Sequence, residues 1–191
     1  MKKNVILKKN IKMKSKFFIA CLVVTTLFIS CKEEKVKEEV VLEEKVETFE
    51  VILDMVVNND DNFQVFYTDD LVPQFDDKKS IWTTVKGLET AQKIVFSLPQ
   101  DDLPTNFRID LGNNKDQKPM ILKSITFKYF DKIKTLTSKE ILTYFVVGEK
   151  VIFNQETGEI DFTKSESEKE FYDPLLYPQD NLKEEIEKLV K

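Results

Sequence analysis

The 191-residue chain contains no histidine. That removes the general base of Ser-His-Asp and Cys-His catalysis and the imidazole ligands of the common zinc sites. Glycine is down to four residues, and none forms a GxGxxG, P-loop or GxSxG pattern, so neither a phosphate cradle nor a nucleophile elbow is present. Arginine occurs once, as Arg108, beside 28 lysines, and tryptophan once, as Trp82. No apolar run reaches the ~20 residues a membrane-spanning helix needs. A carboxylate pair is the one catalytic device that composition leaves open, and abundance of Asp and Glu alone assigns no role, so no enzymatic activity and no cofactor are expected.

What is present is a core-forming composition: 41% hydrophobic residues with fifteen phenylalanines, enough for one packed domain of ordinary size with appendages. Charge is unevenly placed. Seven of the 29 basic residues, and none of the 34 acidic ones, fall in the first thirty positions, leaving 22 basic against 34 acidic from Cys31 onward. An acidic body of that kind is not built to bind a nucleic-acid backbone, which calls for clustered Lys and Arg.

The amino terminus combines the lysine-rich segment with thirteen apolar residues at 17–29, FFIACLVVTTLFI. That length suits a secretory signal and is too short for a span. Translation starts at Met1 or at Met13, which opens MKSKFF; both give the same mature chain. LFISC at 27–31 resembles a bacterial lipobox, with Phe28 in place of the commoner Leu. The resemblance implies cleavage before Cys31 and acylation of its thiol. Cys21 would leave with the signal, so the mature chain would hold no second thiol for a disulfide, and buried acyl chains at ~0.8 kcal/mol per CH₂ would hold it on a bilayer. The following Lys32-Glu33-Glu34 is similar to the charged export signal that places some Gram-negative lipoproteins on the cell surface, the periplasmic leaflet being the alternative. Residues 31–48 then read as a lipidated, charged, solvated tether, of which 32–47 would reach about 50 Å if extended at ~3.3 Å per residue.

From Phe49 short β-branched and aromatic runs alternate with turn clusters, the rhythm of an antiparallel β-sandwich. Strands are expected at 49–58, 63–68, 80–86, 92–98, 105–111 and 121–130, separated by NNDD, TDDLVPQFDDKK, GLETA, PQDDLP and GNNKDQKP. Thr137-Ser138-Lys139-Glu140 reads as a capping box opening a helix through about Val146. VIFNQETGEIDF reads as a hairpin around Gly158, FYDPLLYP as an aromatic segment packing back on the body, and Asp180 to Val190 as an amphipathic helix. The domain reading is signal peptide 1–30, tether 31–48, β-sandwich 49–130 and an α+β appendage at 131–191.

The strand rhythm, with FSLPQDDLPTNFRIDLG at 96–112, resembles the jelly-roll, galactose-binding-like modules of carbohydrate-binding proteins. That resemblance implies glycan binding by a non-catalytic envelope lipoprotein; the alternative is a structural lipoprotein docking onto another envelope protein through an exposed apolar patch. Alternation places Arg108 and Asp110 on one strand face, opposite Phe107, Ile109 and Leu111. The plainer reading of Arg108 is a salt bridge to a neighbouring carboxylate, and the sharper one a clamp for a ligand hydroxyl or carboxylate. Trp82 shares a face with Thr84 and Lys86, where an indole stacks on a sugar ring unless it is simply core. Tyr67 and Phe66 point to opposite faces, so at most one joins Trp82. Trp82, Tyr67, Arg108 and Asp110 are the candidate ligand residues. The Asp pairs at 60–61, 69–70, 76–77 and 101–102 lack EF-hand spacing; they read as solvated turns, and no metal site is assigned.

Overall fold

The computed structural model describes residues 47–70, 73–163 and 172–191. The signal peptide, Cys31 and all but the last two residues of the tether lie outside the described residues.

Strands β1 (Glu50–Val57), β2 (Asp61–Thr68), β3 (Ser80–Val85), β4 (Leu88–Ser97), β5 (Asn106–Asp110) and β6 (Met120–Tyr129) follow the expected segments within a few residues. The chain continues through β7 (Lys132–Thr137), α1 (Ser138–Tyr144), β8 (Phe145–Val147), β9 (Val151–Asn154), β10 (Glu159–Phe162), β11 (Leu175–Pro178) and α2 (Asp180–Val190). Two antiparallel sheets result. One runs β4-β1-β6-β10-β9 with β7 also paired to β6, and the other β3-β2-β5-β11-β8. The molecule is mainly β, an antiparallel sandwich with a small C-terminal helix.

Period-two alternation builds the core. Val51, Leu53, Met55 and Val57 of β1 point inward and are fully buried. They meet Phe63 and Val65 of β2, Phe107 and Ile109 of β5, and Leu122, Ile125 and Phe127 of β6. Phe107 bridges the sheets, with its ring centroid 5.3 Å from both Phe49 and Phe127. Burial of such side chains, at ~1.5–3 kcal/mol each, is the main force holding the sheets together.

Residue 130 lies in the turn between β6 and β7, whose register runs from Ser124↔Thr137 to Tyr129↔Lys132. The segments 49–130 and 131–191 therefore share both sheets and one core, within a compact unit that spans Glu43–Lys191. The capping box forms as expected: Glu140 Oε2 accepts from Thr137 N at 2.9 Å and from Thr137 Oγ1 at 2.7 Å. The helix it opens stops at Tyr144 and not at Val146. Phe145 turns extended and buries its ring, leading the β-branched Val146 and Val147 into pairing with β11. In α2, Leu182, Ile186 and Leu189 share one buried face, the i, i+4, i+7 stripe of a helix closing a core. No helix among the described residues is long and apolar enough to cross a membrane.

Candidate ligand-binding face

The outer face of the five-stranded sheet collects most of the residues singled out in the sequence. β5 sends Phe107 and Ile109 into the core and Asn106, Arg108 and Asp110 outward. On β2, Phe63, Val65 and Tyr67 point inward, and Gln64, Phe66 and Thr68 outward. Register then places Trp82, Gln64, Asp110 and Leu175 in one row across four strands, and Ser80, Phe66 and Arg108 in the next. Trp82 stands 57% exposed at one end of its row.

Arg108 organises the middle of the face. Its Nε and Nη2 donate to the two Asp110 oxygens at 2.8 and 2.7 Å, a fork that a lysine cannot make. Nη2 also reaches Asp173 Oδ2 at 3.2 Å. Asp173 is held there by its neighbour, since Pro174 O accepts from Leu111 N at 2.7 Å. The guanidinium carbon lies 4.7 Å from the centre of the Phe66 ring, a cation–π contact that covers an outward-facing aromatic. The plainer reading of Arg108, an ion pair with neighbouring carboxylates, is therefore what the strand register produces. Burial pushes the Asp110 carboxyl up to about 6; the Arg108 guanidinium pulls against this, and the second carboxylate of Asp173 adds to it.

Beside Arg108 the face opens into a groove of about 570 Å³. Thr68, Asn106 and Arg108 form its floor. Pro73, Gln74 and Phe75, from the loop after β2, line it as well, together with Tyr177, Pro178 and Asp180. The loop leans over β5 far enough for the Phe75 ring to meet Tyr177 of β11 edge-on, at 5.6 Å and 82°. Tyr177 stays half exposed and lies beside Val146 of β8. Trp82 sits on the same face but two strands away from Arg108 and two residues further along, ~12 Å by ordinary sheet spacing; it neighbours the groove without lining it.

Tyr67 is elsewhere. It is 2% exposed, on the core side of β2, and its hydroxyl donates to Asp102 Oδ2. Burial and that carboxylate push the phenol up to about 12. Lys79 lies 5.3 Å over its ring and pairs with Asp69 at 2.9 Å and Asp102 at 3.0 Å. Tyr67 thus braces the loops that flank the face and is not among the groove residues; of the two adjacent aromatics, Phe66 takes the outer side.

The first Asp pair, 60–61, is taken up by hydrogen bonds to neighbouring loops. Asp61 Oδ1 accepts from the backbone N–H of Asn62, Asn113 and Asn114 at 2.8, 2.8 and 3.0 Å, and Oδ2 from Gln117 Nε2 at 2.9 Å. Asp60 pairs with Lys86 at 2.6 Å and accepts from Gly87 N at 2.9 Å. Among the described residues no three His, Cys, Asp or Glu side chains converge to hold a metal ion.

Sequence reasoning missed Phe75, Tyr177, Asn106, Asp173 and Asp180. Phe75 lay in a segment read only as a turn, and Tyr177 in an aromatic stretch with no assigned partner strand. Their signal is compositional: each is an aromatic amid prolines and acids, where nothing in the local pattern calls for a core residue. No protein-family model, curated protein or solved structure matches the chain, so what this face does has to be read from its own residues.

Proposed function

We propose that the protein is a non-catalytic, envelope-anchored lipoprotein whose β-sandwich binds a glycan on the outer face of the five-stranded sheet. The groove beside Arg108 carries the reading. Its floor offers the amide of Asn106 beside the Arg108 guanidinium, and its wall the half-exposed ring of Tyr177 against Phe75. A polar floor under an aromatic wall is what a sugar ring, with hydroxyls at its edge and C–H groups on its face, requires. Exposed Trp82 on the same face extends the surface for a chain longer than one residue. Acylation at Cys31 would attach the body to the outer membrane, facing the cell surface or the periplasm.

The test is a glycan array with the full chain purified in detergent. Tyr177→Ala should weaken binding most, with Trp82→Ala affecting only longer oligosaccharides, while labelled fatty acid should appear on the wild type and vanish in Cys31→Ser. A wild type that retains no glycan overturns the site, and one that takes up no label overturns the anchor. Docking onto another envelope protein is the second reading, favoured by the exposed pair of Val146 and Tyr177 side by side on this face.

A further inference from the structure

Resting on the glycan reading, the charges around the groove allow the class of sugar to be named. Its one guanidinium faces more than one carboxylate: Arg108 gives Nε and Nη2 to Asp110 and Asp173, and Asp180 lines the groove from the first residue of α2 with its side chain exposed. Arg108 and Asp180 therefore line the groove, while Asp110 and Asp173 stand behind it, joined to it through Arg108: one positive and three negative groups in all.

A ligand carboxylate or sulfate seeking Arg108 would have to displace Asp173 or break the Asp110 fork, leaving a partly buried aspartate without its partner. That exchange recovers nothing and adds a like charge. A protonated amine meets the opposite situation. Each aspartate has about four lone-pair positions, only part of which Arg108 fills, and an ammonium supplies three donors together with the charge the site lacks. We infer that the groove recognises a saccharide bearing a free, protonated amino group, and that it discriminates against uronate and sulfated chains.

The experiment compares three tetrasaccharides of similar size on the full chain in detergent, by calorimetry: one of glucosamine, its N-acetylated counterpart, and one of galacturonic acid. The glucosamine tetramer should bind about fivefold tighter than the N-acetylated form, the scale of a partly exposed charge pair, and the galacturonate weakest. The preference should narrow in Asp180→Asn, which sits on an exposed helix end and leaves the core untouched, and should shrink as salt is raised from low to physiological strength. Equal binding of the first two tetramers, or galacturonate bound best, overturns the charge selection while leaving the glycan reading standing. Failure of all three to bind overturns it as well, and the array then decides separately whether the face binds any glycan.

Discussion

Arg108 serves two carboxylates and one aromatic ring with a single guanidinium, and the cost of the arrangement falls on Asp110. Its carboxyl is buried against the sheet, beside a second acid. Its pKa is raised from 3.8 to about 6, so between those values the native protein holds a proton that the unfolded chain releases. The stabilisation is fully present below about pH 4 and is lost as pH rises through about 6. Comparing chemical denaturation of the wild type with Asp110→Asn should therefore give a stability difference that moves against the wild type by of order 2 kcal/mol between pH 4 and pH 7. Glu140, Glu185 and Glu187 have lowered values; they act with the opposite sign and at lower pH, where both proteins share them. A difference that does not change across this range would mean that Asp110 stays ionised within the Arg108 fork.

At the scale of elements, one carboxylate fastens two loops. Asp61 opens β2, and the segment after β5 wraps round it so that the N–H groups of Asn113 and Asn114 and the Gln117 amide join the N–H of Asn62 on its oxygens. Gly112, at φ +107°, is where the chain makes that bend; a Cβ there would run into the Asp61 carboxylate. Asn59 completes the fastening, donating to Asp116 O at 2.8 Å and accepting at its own carbonyl from Gln117 Nε2 at 3.1 Å. Asp61→Ala should lower unfolding stability by roughly 3 kcal/mol, because buried donors lose their acceptor, shifting the urea midpoint without changing the slope. NNDD and GNNKDQKP were legible as turns from their composition, but not as a pair, because nothing local says that a carboxylate at 61 is met by amides more than fifty residues later. The same limit hid the groove. Arg108 and Asp110 shared a strand and Trp82 alternated as expected, so their common face followed from period two. Phe75 and Tyr177 meet only because β11 pairs with β5 across a long stretch of chain.

On the scale of the whole molecule, the six strands from β1 to β6 were legible because each alternates over its own few residues, whereas β7, β8 and β11 were not. FVV and LLYP are short and take their partners from distant segments, and pairing partners are what a local pattern does not encode; KIKTLT pairs with the adjacent β6 and was hidden instead by a turn that Phe130 makes at φ 53° with no glycine, proline or asparagine to mark it. Those pairings join the two parts of the chain. Strands from 131–191 enter both sheets, β10 and β7 against β6, and β11 against β5. Nine apolar side chains of that segment are buried in the common core, from Leu136 to Leu189. At ~1.5–3 kcal/mol apiece they account for as much stabilisation as a domain's whole margin of ~5–15 kcal/mol. A chain ending at residue 130 should therefore show no cooperative urea transition, while the full chain unfolds with Trp82 fluorescence and far-UV circular dichroism changing together. A sharp transition in the shortened chain would show that β1 to β6 form a core without the strands that complete it. The groove is the functional counterpart of this dependence: its floor comes from β2 and β5 and one wall from β11 and α2, so the shortened chain should bind no glycan even where it retains strand structure.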